Sequence, residues 1–331
     1  MINLENDKLE IHFPHLHEKV GIEIEFKRTL RVEEDRFDRS LPPDLGNFKV
    51  RHIEDIDLGK KEYLKKRGGV LIPMSRPDAL WLNFRLKYRN NLRDIDLTSP
   101  VALKVAAGKI CAVSGKTWKQ GLSSKSQNYV VIPDQPWLDG FKDKLGSVRQ
   151  FVAAHLGDGL TVEEKVTGKA EVGGIQIEAY PLKEEYYNKL ITERTKEYSA
   201  DPHHYTISPH RPPDRKVRRS SHEIKNQILK RKVGPQVKEK LESPPKEEVL
   251  FDDSDFVDVD FKEKMEVDIP NIGLAPGGNI MQEIYRDRFG SECWDTKKSL
   301  KCFVTLANEL QWIGITGEKP PVSSISPSDY K

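Results

Sequence analysis

Residues 21–32 read GIEIEFKRTLRV, and in this stretch the apolar Ile22, Ile24 and Phe26 alternate with charged residues. Alternation with a period of two is typical of a β-strand that buries one face. A second alternating set of large apolar residues runs from Leu80 to Tyr88. Strands of this kind decide the fold class of the chain.

The stretch VALKVAAGKICAVSG, residues 101–115, predicts a hairpin, because two β-branched runs flank Ala107-Gly108-Lys109 and Gly108 can adopt a positive φ. Shorter strands are predicted at 128–133, 147–154 and 173–181. The spacing of Thr161 and Glu164 fits a capping box at the start of a short helix. A longer exposed helix is expected over 183–198. Many short strands with little helix predict a sheet-dominated domain.

The charge pattern changes after this helix. Residues 211–240 hold 11 Lys or Arg and 3 Asp or Glu, a net charge of +8, whereas residues 242–268 hold 3 Lys and 11 Asp or Glu, a net charge of −8. Two opposite blocks with few large apolar residues are typical of a disordered segment. We therefore expect a long charged insert between two parts of the domain.

Regular structure is predicted again from residue 269. The turn APGGN (275–279) precedes Ile280, Ile284 and Tyr285, which have the spacing of one helix face. Residues 302–306 predict a strand that leads into a short helix at 310–313. A segment of this length cannot bury a core alone. We expect it to complete the sheet of an α+β, strand-rich single domain. The predicted division is an N-terminal arm (1–19), the main part of the domain (20–198), a disordered insert (199–268), a returning segment (269–319) and a disordered tail (320–331).

Composition favours an intracellular protein. No apolar run approaches the roughly 18 residues of a membrane span, and the first residues lack the apolar centre of a signal peptide. The three cysteines lie far apart, so they do not form a disulfide framework. The expectation is a cytoplasmic or nuclear protein in a reducing compartment, without membrane partners.

Four stretches together resemble a family. VALKVAAGKICAVSG, YVVIPDQPWLDGF, the run from VRQFVAAHL to IEAYPLK, and the run from GLAPGGNIMQEIY through CFVTLANELQW to GEKPP are similar to an uncharacterised family of fungal and bacterial proteins. The resemblance covers most of 20–190 and 270–321 and skips the charged insert, which supports a split domain. It implies no activity, ligand or catalytic residue.

Acidic residues in or beside loops are the candidates for general acid–base chemistry. Two carboxylates could do this work if the fold brought them within about 5–9 Å. Solvated loop charges are the alternative interpretation, because exposed Asp and Glu are common. The candidates are Asp134, Asp139, Glu163, Glu164 and Glu171.

Binding candidates come from tryptophans and a glycine pair. Trp118 and Trp137 lie at predicted strand ends, where they could line a pocket or an interface, although anchoring the core is the alternative. Gly277, Gly278 and Asn279 precede the predicted helix, whose first amides could hold an anion. A simple entry turn is the alternative for them.

Other motifs do not support a cofactor or a metal. The sequence SGKT (114–117) lacks the upstream glycine of a phosphate-binding loop, because Ile110 occupies that position. Two groups of histidines, at 12–17 and 203–210, have no zinc-type spacing. Cys111 and Cys302 lie within apolar strands and predict core packing, whereas Cys293 is the more accessible thiol candidate.

The insert contains short linear signals. Arg218 and Arg219 precede Ser221, the candidate for phosphorylation. An acidic and apolar alternation from Asp252 onward could pair with the sheet edge of a partner. A solvated spacer is the alternative for each signal. The candidates for nucleic-acid contact are Arg215, Lys216, Arg218, Arg219, Lys230, Arg231 and Lys232.

Three functions follow as hypotheses. The favoured one is a non-catalytic binding or scaffold domain, with another protein as partner and the insert as its regulatory arm. The alternative is an enzyme with an acid–base site in loops around 133–175, assembled with the returning segment. A weaker alternative is nucleic-acid binding through residues 211–240, which salt should weaken steeply.

Overall fold

The computed structural model of the protein describes residues 1–32, 42–56, 62–74, 78–88, 95–143, 146–169, 171–200 and 272–319. These residues all belong to one unit, formed by Met1–Arg211 together with Val267–Lys331. The other unit, Pro212–Glu266, lies outside the described residues. The predicted insert therefore lies outside them except for residues 199 and 200, and so does the predicted tail.

The described chain alternates strands with a few short helices. The elements of its first half are β1 (Ile2–Glu5), β2 (Lys8–His12), β3 (Gly21–Leu30), β4 (Arg51–His52), α1 (Glu62–Arg67), β5 (Val70–Pro73), β6 (Asp78–Leu86), β7 (Val101–Ala107), β8 (Ile110–Cys111) and β9 (Val130–Ile132). The second half contains β10 (Trp137–Leu138), β11 (Gly140–Lys142), β12 (Val148–His155), α2 (Val162–Thr167), β13 (Ile175–Pro181), α3 (Glu184–Ala200), β14 (Ile272–Ile280), a short 3-10 helix (Ser291–Cys293), β15 (Leu300–Ala307) and α4 (Glu309–Thr316).

The strands form one sheet in the order β1-β2-β3-β6-β12-β14-β15-β13-β7-β8, with the remaining strands paired beside this path. Pairing is antiparallel except between β15 and β5. Strands β14 and β15 lie in the middle of the sheet, between β12 and β13. The α+β, strand-rich fold with a sheet completed by the C-terminal segment is thus confirmed.

The local predictions for the first strands and for α2 agree with the structure. Ile22, Ile24 and Phe26 are fully buried in the main core. Gly108 turns the β7–β8 hairpin with a φ of 54°. Helix α2 begins with the capping box, because the Thr161 side chain accepts from the Glu164 N–H and Glu164 reaches back to the Thr161 N–H.

Residues 1–19 correct the predicted N-terminal arm, because they supply two strands of the same sheet. Strand β1 pairs with β2, and β2 pairs with β3 over the full length of β2. Leu9 and Ile11 are completely buried in the main core. This strand pair was not predicted because charged residues interrupt each short apolar group in the sequence. Some of these charges form ion pairs, such as Lys8 with Glu23 and Glu25.

The glycine pair of the returning segment corrects a second prediction. Gly277 and Gly278 lie inside β14 and not in a turn, and residues 281–287 form neither a helix nor a strand. Two residues of β14 lie opposite Gln150 of β12, which is a β-bulge. A Cβ atom on Gly277 would lie 2.8 Å from Val152 Cγ1. Glycine is required here by close strand packing.

None of the helices in the described ranges has both the length and the apolar character needed to cross a bilayer.

Candidate functional site

Three of the five candidate carboxylates stabilise local structure. Glu163 is buried and accepts hydrogen bonds from the backbone N–H groups of Val172 (3.2 Å) and Gly173 (2.8 Å). Glu164 completes the capping box of α2 and also accepts from the Gly157 N–H. Burial raises the pKa of Glu164, but the Thr161 hydroxyl and the backbone N–H groups outweigh it and lower the pKa overall. Exposed Glu171 pairs with Lys109.

The other two carboxylates lie beside the returning segment. Asp134 is buried and accepts a hydrogen bond of 2.7 Å from the Arg288 guanidinium. Asp139 is also buried, and its backbone N–H donates to the side chain of Gln282. Both residues therefore help to join the first part of the chain to the second. No group of three or more potential metal ligands occurs among the residues that the structure describes.

The tryptophan and glycine candidates also have structural positions. Trp118 is half-buried, and its ring covers the Lys104 ammonium at 4.0 Å. Trp137 is half-buried in β10, opposite Asn83 of β6. Gly277, Gly278 and Asn279 belong to the bulge of β14, so no helix follows them that could hold an anion at its first amides.

Cys293 corrects the prediction of an accessible thiol. The side chain is buried, and its thiol donates to the Phe289 carbonyl oxygen. Burial is the main cause that raises the pKa of this thiol, so it is held as a neutral group. Ser221 and the seven candidate basic residues of the insert lie outside the described residues.

A cleft of about 520 Å³ opens where four parts of the chain meet. Its lining comes from the turn after β8 (112–116), the loop before β9 (124–127), the β10 to β12 region (138–148) and the segment after β14 (282–286). Part of the lining is aliphatic, and it consists of the side chains of Ala112, Val113, Leu138, Val148 and Ile284. This volume falls within the range of about 300–1,000 Å³ that is usual for small-molecule sites.

The turn after β8 (112–116) and the loop before β9 (124–127) are held in position by close packing and by one buried cation. Gly115 has a φ of 68°, and a Cβ atom there would collide with the carbonyl oxygen of Lys142, so only glycine fits. Lys104 of β7 is fully buried and donates to the carbonyl oxygens of Lys119 and, at 2.9 Å, of Gly121. Burial lowers the pKa of Lys104. This ammonium group fixes the start of the loop whose end lines the cleft.

Side-chain amides, and not strand pairing, hold the segment after β14 (282–286) in position. Gln127 donates to the Tyr285 carbonyl (2.8 Å) and accepts from the Asp287 N–H (3.0 Å). Gln135 donates to the Glu283 carbonyl (3.1 Å) and accepts from the Tyr285 N–H (2.9 Å).

Gln282 makes the reciprocal contacts, because it accepts from the Asp139 N–H (2.9 Å) and donates to the Trp137 carbonyl (3.1 Å). Four backbone groups, those of Glu283, Tyr285 and Asp287, thereby have hydrogen-bond partners. We call Gln127, Gln135 and Gln282 the glutamine bridge.

The rim of the cleft carries an excess of positive charge. Within the described part of the chain, none of its four cationic side chains forms an ion pair, in contrast to Lys87, Arg85 and Arg28 elsewhere in the fold. Three serines, Ser114, Ser124 and Ser126, add hydroxyl groups to the lining. Positive charges that converge on a cleft attract anions. The four side chains are those of Lys116, Lys125, Lys142 and Arg286.

None of the candidate catalytic or binding residues predicted from the sequence lines this cleft, although Ser114 and Lys116 of the SGKT stretch and Ile284 do. One signal was present, because residues 97–133 contain five lysines and neither Asp nor Glu. The position of Arg286 beside these lysines depends on the glutamine bridge, which links residues more than 140 positions apart. No local pattern of the sequence indicates it.

Comparisons with family models, with curated proteins and with solved structures found no match to this chain. The resemblance to an uncharacterised family of fungal and bacterial proteins stays a prediction.

Proposed function

We propose that this domain is a binding domain and that its cleft takes a small organic anion. The observation that supports the proposal is the convergence of Lys116, Lys125, Lys142 and Arg286 on one cleft, with no carboxylate paired to them in the described ranges. A bound anion would supply the missing negative charge. The aliphatic lining residues give such a ligand a surface for its carbon skeleton.

The site also accounts for the split chain. Three walls come from residues 112–148 and one comes from residues 282–286, so a ligand contacts both parts of the domain. The partner protein stays a prediction, and so does the nucleic-acid surface, which concerns the insert. The acid–base site around 133–175 also stays a prediction, and its five carboxylates have the structural contacts given above.

Charge reversal at the cleft tests the proposal. Ribose 5-phosphate and citrate should bind the wild-type chain in isothermal titration calorimetry at low ionic strength, and added salt should weaken the binding. The double variant Lys116→Glu, Lys142→Glu should bind at least about tenfold more weakly, because like charges now face the ligand.

The control is Lys196→Glu on the exposed side of α3, which should bind as the wild type does. The proposal is wrong if neither anion binds, or if the control variant loses as much affinity as the double variant.

A further inference from the structure

Among the described residues that line the cleft, Glu283 is the one carboxylate, and the other charged residues are basic. Its backbone carbonyl is held by Gln135 at 3.1 Å, so its place on the wall is fixed. Its side chain is exposed, and over the described chain its carboxylate has neither a hydrogen-bond partner nor an ion pair. Four cations share the cleft with it, yet none pairs with it. The four cationic side chains and the Glu283 carboxylate are therefore all available to bind a ligand.

A carboxylate in this position opposes any ligand that carries only negative charge. Because the Glu283 side chain is exposed, added salt screens this repulsion. The same carboxylate accepts hydrogen bonds from N–H donors, and such charge-assisted bonds are strong. The lining thus presents cations and hydroxyls for an anionic group, aliphatic side chains for a carbon body, and one acceptor for a donor group.

We infer that the ligand is an organic anion that also carries N–H donors, and that Glu283 selects it by accepting hydrogen bonds from those donors. This inference rests on the proposed function of the cleft and adds the chemical class of the ligand. Guanosine monophosphate is a suitable probe, because its base presents two neighbouring N–H donors to one carboxylate. Ribose 5-phosphate has the phosphate and sugar without the base, and inorganic phosphate has neither.

Replacement of Glu283 by glutamine shows whether this carboxylate attracts or repels a ligand, because the affinity falls in the first case and rises in the second. If Glu283 accepts hydrogen bonds from the ligand, Glu283→Gln should weaken the binding of guanosine monophosphate by about tenfold, because a hydrogen bond to a charged group is lost. Ribose 5-phosphate and inorganic phosphate should bind equally well or more tightly, because a nearby negative charge is removed. Wild-type protein should bind guanosine monophosphate more tightly than ribose 5-phosphate.

Glu309→Gln is the matched control, because Glu309 is an exposed carboxylate in the first turn of α4 and does not line the cleft. It should leave all three affinities unchanged. The inference is overturned if Glu283→Gln strengthens the binding of guanosine monophosphate and of ribose 5-phosphate alike, or if the wild type binds the two with equal affinity. Failure of all three probes to bind the wild type, while citrate still binds, overturns the inference alone; failure of citrate as well overturns the proposed function.

Discussion

At the scale of single residues, the buried hydroxyl of Tyr129 couples stability to pH. It donates to Asp287 Oδ2 at 2.5 Å, and the same oxygen accepts from the Trp294 indole N–H. Burial, followed by the bond to Asp287, raises the pKa of Tyr129 well above its ordinary value. The raised pKa makes the stabilisation fully present below the unfolded pKa of about 10, and it is lost as pH rises toward the folded value.

Tyr129→Phe should therefore lower the free energy of unfolding by about 1.5–3 kcal/mol near neutral pH, since a bond to a carboxylate is lost. The difference from the wild type should shrink as pH rises past about 10. Urea unfolding over a pH series measures both effects, with half-exposed Tyr88→Phe as the control. A difference that does not change with pH would contradict this account.

Glu163 provides a second prediction at this scale, because its carboxylate is a structural acceptor. Glu163→Ala removes both acceptor oxygens, so the Val172 and Gly173 N–H groups lose their acceptor. We expect a loss of about 1.5–3 kcal/mol in the free energy of unfolding. The exposed pair of Glu171 and Lys109 contributes at most about 1 kcal/mol, so Glu171→Ala is the control.

Chemical denaturation of both variants decides the matter. Equal stability of the two variants would show that the buried carboxylate does not hold α2 to the loop before β13.

At the scale of elements, the glutamine bridge predicts where local protection from hydrogen exchange resides. Gln135→Glu keeps the shape of the side chain but places a carboxylate oxygen against the Glu283 carbonyl, so the donor is lost. The backbone amides of Tyr285 and Asp287 should then exchange faster, because the segment opens locally. Hydrogen–deuterium exchange followed by mass spectrometry measures this for residues 281–289.

Gln150→Glu is the matched control, because Gln150 makes the same double contact with the Leu30 carbonyl and the Val32 N–H. That variant should raise exchange around residues 30–32 and leave 281–289 protected. An equal effect of both variants on 281–289 would mean that the bridge does not position this segment.

The sequence predicted the elements that are decided by local pattern, and it missed those decided by distant contacts. Alternation at Ile22 and Phe26, and the cap at Thr161, are local and were predicted. Gly277 suggested a turn because its sequence does not reveal that Val152 occupies the space of a side chain. The cleft was missed because its cations come from separate stretches of the chain that distant contacts bring together, such as those of Lys104 and of the glutamine bridge.

At the scale of the whole molecule, the order of the strands makes the two parts of the chain depend on each other. Strand β14 pairs with β12 over most of its length, and β15 pairs with β13, β14 and β5. Without β14 and β15, strands β12 and β13 would each expose an edge and an apolar face. Trp312 of α4 completes the small core around Leu71, which the first part would also lose.

A chain ending at Arg211 should therefore not unfold cooperatively, and it should bind a dye that recognises exposed apolar surface. Addition of a separate fragment of residues 267–331 should restore a cooperative transition, because it supplies the two central strands. Calorimetry and dye fluorescence measure both steps. A fragment of the second part with Thr305→Asp and Leu306→Asp is the control, since buried charges in β15 should prevent restoration. A cooperative transition in the first fragment alone would show that the strands of residues 1–200 form a stable sheet by themselves.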